Sequence, residues 1–204
     1  KEELEDAFVF RSENFASSYL ENNGNGKFKL SALPKMAQIA PMYGTMVGDY
    51  NHDGHLDVLA VGNFYNSEVF SGQYDASIGW LLAGDGNGNF TNIESKESGF
   101  YIKGDAKALV NLRVGNQELI VASINDGPLS ILEYQDTENR MYAPKQNEVS
   151  ALVTYGDGSV QRFEFSPSSG YLSQPSRTFS IPIDASSVII IDNTGNEHEI
   201  LPIQ

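Results

Sequence analysis

The chain has no cysteine, which excludes disulfides, thiolate metal sites and thiol nucleophiles together and leaves the redox compartment open. No apolar run approaches the roughly 20 residues that a helical membrane span needs. The first residues, KEELEDAF, are charged from Lys1 onward, so an export signal or a lipid anchor, if the full-length protein uses one, is expected outside this stretch. Positive charge is scarce: 13 Lys and Arg stand against 27 Asp and Glu, for a net charge of -14. That balance repels phosphate backbones and anionic headgroups, which argues against nucleic acid as a partner. It suits divalent cations. Helical periodicity is also missing, since only KEELEDAF looks mildly helical and is too short for a stable isolated helix.

The chemistry of common catalytic sites is absent too. There is no GxSxG, and the three histidines fall either in one acidic loop (His52, His55) or near the C-terminus (His198), leaving little for a triad. The GDGNGN turn at 84–89 lacks the helix and lysine of a phosphate loop. Some carboxylate pair will always be found among 27 acids, so a glycosidase pair has no particular support. The expectation is a protein that is not an enzyme.

What the chain does have is strands. Short runs rich in Val, Ile, Leu, Tyr and Phe alternate with Gly, Asn, Asp and Ser clusters about every ten residues, as in MYGTMVG, LDVLAVG, GWLLAG, ELIVAS and VIIID. This predicts an all-β chain with a core, given a hydrophobic fraction of 40%. Displaced by 62 positions, SYLENNGNGKF at 18–28 lies over WLLAGDGNGNF at 80–90, and LDVLAV at 56–61 lies over ELIVAS at 118–123. Two matches at one offset predict a repeat of about 60 residues, the size of a propeller blade. Beyond the polar stretch EYQDTENRMYAPKQNEVS the pattern changes, and ALVTYGDGSVQRFEF reads as a hairpin turning on Gly156, Asp157 and Gly158. A boundary is placed between 138 and 148, giving blades over 1–140 and a small C-terminal β domain over 141–204.

The stretch DYNHDGHLD at 49–57 concentrates the acids. Asp49, Asn51, Asp53, the carbonyl of His55 and Asp57 fall at alternate positions of a loop that Gly54 allows to turn tightly, a spacing that suits a calcium ion with six to eight oxygen ligands. An EF-hand is excluded because position 12 is Ala60 and the flanks are strand-like. A solvated Asx-rich turn is the plain alternative. Zinc through His52 and His55, or magnesium, are further rivals. At the 62-residue offset Asp49, Asn51, Asp53 and Asp57 meet Asn111, Arg113, Gly115 and Leu119, so the second copy would keep the strands without the ligands.

DYNHDGHLDVLAVGN together with GDGNGNF resembles the FG-GAP or VCBS repeat, the calcium-bearing blade of integrin-α-like β-propellers. KGDAKALVNLRVGNQELIVASINDGPLSIL resembles the last blade of such proteins that end in an ASPIC/UnbV domain, and SGYLSQPS at 169–176 looks like the GYLSQ motif of that domain. The resemblance implies a partial propeller of about two to three blades followed by the C-terminal β domain. It further implies a non-catalytic, calcium-stabilised binding or adhesion module, extracellular or at a bacterial cell surface or periplasm. The alternative is an accessory, glycan-binding portion of a larger secreted enzyme or polysaccharide-uptake system. The partner expected is a protein or a glycan. FYNSEVFSGQYDASIG at 64–79 is missing from the shorter second copy and offers Phe64, Tyr65, Phe70, Tyr74 and Asp75 as ligand-binding residues. The competing reading makes these aromatics a cover for the propeller rim.

Overall fold

A computed structural model describes residues 8–115, 117–134, 140–166 and 174–200. The helical expectation for KEELEDAF and most of the GYLSQ motif lie outside the described residues. Within them the chain is all-β, built from antiparallel sheets, none of which closes on itself. No helix among the described residues is long and apolar enough to cross a membrane.

Strands β1 (Ser18–Asn22) and β2 (Phe28–Ala32) form a hairpin. Four strands follow in meander order: β3 (Met42–Gly48), β4 (Asp57–Gly62), β5 (Trp80–Gly84) and β6 (Phe90–Ile93). A third sheet holds β7 (Ala106–Val114), β8 (Gln117–Ile124) and β9 (Ser130–Tyr134). The pairings of β1 with β2 and of β5 with β6 have the same register at an offset of 62: Leu20 faces Leu30 as Leu82 faces Asn92, and Asn22 faces Phe28 as Gly84 faces Phe90. For β3–β4 against β7–β8 the offset is 62 in the second strand (Val61 to Ser123) but 64 in the first (Gly44 to Ala108). The connection that carries the acids between β3 and β4 is therefore two residues shorter between β7 and β8.

Sheets two and three pack face to face. Leu59, Val61 and Leu81 meet Leu109, Ile120 and Ala122, with Phe100 and Ile102 between them. Burying this many large apolar side chains is the main stabilising contribution, roughly 25 cal/mol per Å² of apolar surface. The approach is close enough to dictate a residue: a Cβ on Gly44 would lie 2.6 Å from the backbone nitrogen of Leu109. On the opposite face, Trp80 and Leu82 are covered by Ala37 and Ala40 from a short 3-10 turn and the chain that follows it. The Trp80 indole donates to the carbonyl of Met36 at 2.7 Å, so its one polar atom is satisfied in the core.

The strands after residue 139 pair only with one another among the described residues. β10 (Arg140–Tyr142) pairs with β13 (Phe179–Ile181). β11 (Glu148–Tyr155), β12 (Val160–Glu164), β14 (Ala185–Asp192) and β15 (Glu197–Glu199) make a sheet in the order β12-β11-β14-β15. β11 and β12 are the hairpin expected on Gly156–Gly158, closed by a bond from the Tyr155 amide to the Ser159 carbonyl. This unit has its own core of Val153, Phe179, Ile181, Val188 and Ile190. Ser176 ties it to the third sheet, donating its amide to the Asn111 carbonyl at 2.8 Å and accepting the Arg113 amide on its hydroxyl at 3.0 Å.

Candidate functional site

β3 delivers Asp49 and β4 begins at Asp57, so the two strands, paired at Gly48 and Asp57, hold both ends of the acidic loop. Gly54 at φ +84° and His52 at φ +61° supply the left-handed backbone that reverses the chain. Asp49, Asn51 and Asp53 are brought together. The Asp53 amide donates to Asp49 Oδ1 at 3.2 Å and Asn51 Oδ1 at 3.0 Å, the Gly54 amide donates to Asp49 Oδ2 at 2.9 Å, and Asn51 Nδ2 donates to Asp53 Oδ2 at 2.9 Å. The His55 amide closes the turn on Asp53 Oδ1 at 2.9 Å. Asp57 bonds to backbone amides, two of them the loop's own, and not to the other three side chains. It is 0% exposed, with Oδ2 accepting the amides of Tyr50 at 2.9 Å and Asn51 at 3.2 Å, and Oδ1 accepting the amide of Gly84 at 2.9 Å. Burial holds its carboxyl above the usual aspartate range against the opposing pull of those N–H groups. The His55 ring lies against Gly86, next to the β5–β6 turn.

Among the described residues no three His, Cys, Asp or Glu side chains stand close enough together to form a metal cage of their own. The donor set nonetheless has the character a hard cation takes: three side chains offering oxygen, on one turn, with carboxylate lone pairs left beyond those used by the backbone. No sulfur competes, and neither the His52 nor the His55 ring is bonded to the three side chains; His55 joins them only through its backbone amide.

The insertion at 64–79 is pinned at its base. Phe64 and Tyr74 exchange a pair of backbone bonds, both 2.9 Å. Behind them Asn63, 1% exposed and at φ +93°, donates from Nδ2 to the carbonyls of Ser77 at 2.8 Å and Gly104 at 2.9 Å and accepts the Ser77 amide at 2.9 Å. Lys107 Nζ adds a third tie. It pairs with Asp105 Oδ1 at 2.6 Å, donates to the Asn63 carbonyl at 2.9 Å, and stands 3.9 Å from the Tyr43 ring centre and 5.3 Å from that of Phe64. The far end of the insertion is bare, with Phe70 98% exposed; at the base Asp75 is exposed, Tyr74 half-exposed and Tyr65 half-buried. The five proposed ligand residues therefore divide. Phe64, Tyr65, Tyr74 and Asp75 sit at the pinned base, and Phe70 projects beyond it.

The sequence gives little warning of Asn63 and Lys107. Asn63 is the last residue of VLAVGN, where no charge marks it, and Lys107 lies in another sheet. A signal was available in principle: an asparagine just after a strand-ending glycine is a common site of left-handed backbone.

Beside the acidic loop, the junction of the second and third sheets with the C-terminal unit encloses a cleft of about 480 Å³. Three tyrosines around this junction titrate late. Burial is the first cause in each. It raises Tyr50 above the ordinary phenol range with help from Tyr134 and Glu118, pushes Tyr142 up to about 12 with its hydroxyl donated to Glu148, and pushes Tyr155 up to about 12 beside Asp184 and Asp49. Since these groups hold their protons more tightly folded than unfolded, the stability they contribute is complete below about pH 10 and is lost as pH rises toward 12. A spectrophotometric titration of the ten tyrosines is expected to show a late group, which Tyr142→Phe and Tyr155→Phe each diminish. A single step near pH 10 for all of them, in a chain still folded, is the contrary result.

Compared with known proteins, the chain matches no protein-family model and no curated protein sequence.

Proposed function

We propose that this chain is a non-catalytic binding module of the FG-GAP or VCBS blade type, stabilised by calcium at Asp49, Asn51 and Asp53 and presenting the 64–79 insertion to a protein or glycan partner outside the cell. The observation that carries the reading is the acidic connection itself. It is two residues longer than its counterpart between β7 and β8, in otherwise like-ordered strand pairs, and the extra length goes with the acids. The blade reading is supported by the identical register of the two Gly-Asn-Gly hairpins and by the face-to-face packing of the second and third sheets. The C-terminal unit is read as ASPIC/UnbV-like on the order of the motifs. The partner surface is supported by an insertion whose base is tied down while its tip carries bare Phe70 and Val69, since exposed apolar side chains on an anchored loop are suited to burial by a partner.

Calcium, when bound, would neutralise the crowded carboxylates and fix the turn between β3 and β4; it has no role in any reaction. Because the ion binds the folded chain and not the unfolded one, it raises the melting temperature by mass action. Adding a chelator is expected to lower the melting temperature, and Asp53→Ala is expected to remove most of that response. Identical melting curves with calcium and with chelator would overturn the calcium assignment.

A further inference from the structure

We infer that the cleft between β3 and the C-terminal sheet is a binding site for a neutral carbohydrate. Its volume of about 480 Å³ falls within the range of small-ligand sites. One wall comes from β3 and the acidic loop, with Thr45, Val47 and Tyr50, and the facing wall comes from the C-terminal unit, with Tyr155, Phe163 and Phe179. Asn111, Glu118, Gln161 and Arg177 also line it. Aromatic side chains among amide and charged groups suit a sugar, because its C–H face packs on aromatic carbon while its hydroxyls both donate and accept.

Charge narrows the class. Asp49, Glu118 and Glu164 line the cleft against Arg177, the one cation among its described lining residues, and the chain as a whole is strongly negative. Phosphates and carboxylates are therefore disfavoured, and a cationic ligand would have to share the space with the Arg177 guanidinium. Two buried polar atoms on the lining residues lack hydrogen-bond partners: the acceptor Asn111 Oδ1 and the donor Arg177 Nε. Unpaired buried groups are costly and call for an explanation. Both atoms are sealed from the open space of the cleft, so they belong to its frame and are not themselves contacts for a sugar. The remaining guanidinium nitrogens are committed, Nη1 to the Lys145 carbonyl at 3.1 Å and Nη2 to the Glu148 carbonyl at 2.7 Å, so Arg177 is held as part of the frame. This site is separate from the 64–79 surface and stands or falls independently of it.

The test is saturation-transfer NMR followed by titration, on the whole chain. The probes are glucose, galactose, mannose, N-acetylglucosamine and their β-linked disaccharides, with glucuronate and galacturonate for comparison. At least one neutral sugar is expected to receive magnetisation. Val47 is 63% exposed and lines the cleft, so Val47→Trp fills the space from a surface position. It should weaken binding about tenfold or more, whereas Leu129→Ala, at an exposed position outside both the cleft and the insertion, should leave binding unchanged. If Val47→Trp lowers the melting temperature, Thr45→Trp serves in its place. The inference is overturned if no neutral sugar binds, if the uronates bind more tightly, or if binding survives the tryptophan and is lost with Tyr74→Ala.

Discussion

Asp57→Ala is expected to be among the most destabilising single substitutions in the chain, by roughly 3–5 kcal/mol. The side chain is fully buried and its two oxygens accept three backbone amides, those of Tyr50, Asn51 and Gly84. Removing the acceptors leaves these donors unpaired at a penalty of roughly 1–3 kcal/mol each, with water entering from the loop side to relieve part of it. For a chain of this length each kcal/mol lowers the melting temperature by roughly 2–4 °C, so a fall on the order of 10 °C is expected. Asp57→Asn keeps the volume and one oxygen but turns an N–H₂ toward an N–H, and is expected to fall between the wild type and alanine. A change within about 2 °C for the alanine variant would show that the three bonds contribute nothing net. The contrast with Asp53→Ala is informative: there the loss should be confined to the calcium response, since Asp53 is exposed and its partners lie within the loop.

Asn63→Ala is expected to cost about 2–4 kcal/mol, and its effect on the insertion should exceed its effect on the core. Three bonds vanish from a buried position, those to the Ser77 carbonyl, the Gly104 carbonyl and the Ser77 amide. The alanine must also hold φ +93°, a conformation costly for an L-residue with a Cβ. Both ends of the insertion depend on this side chain, so cleavage by a broad-specificity protease between 64 and 76 should accelerate well before global unfolding does. Asn63→Gly separates the two causes: it relieves the backbone and still loses the bonds, so it should be cleaved nearly as fast while recovering part of the stability. Cleavage rates equal to wild type in both variants would mean that the Phe64–Tyr74 bridge and Lys107 suffice.

Much of the strand pattern is legible in the residues, because alternation and turn chemistry are local. Gly24–Gly26 and Gly86–Gly88 announce two hairpins, Gly156–Gly158 a third, and the polar stretch before Glu148 the beginning of a separately paired set of strands. The acidic loop is legible as a loop, and three of its oxygens do gather. Asp57 is the instructive departure. Spacing shows where a carboxylate is able to converge, but the side chain answers to whichever donors are nearest, and the Gly84 amide comes from a strand 27 residues further along the chain. The length difference between the two β-β connections is likewise hidden, since the second strands match at 62 and the first at 64. A uniform offset pairs Asp49 with Asn111, whereas the pairing of strands sets Asp49 opposite the position of Arg113. The cleft leaves no sequence signature at all, because it exists only where Ser176 docks beside Asn111 and Arg113.

That docking has a further consequence, for how copies of the protein behave toward one another. β7 is the last strand of its sheet, nine residues long and paired only with β8 among the described residues. Its outer row of amides and carbonyls is a template on which another molecule's strand could assemble. Ser176 occupies that row toward its C-terminal end, taking the Asn111 carbonyl and the Arg113 amide for the chain's own use. The C-terminal unit thus acts as a guard against cross-molecule strand pairing, which makes its attachment a matter of solubility and shelf life as well as of shape.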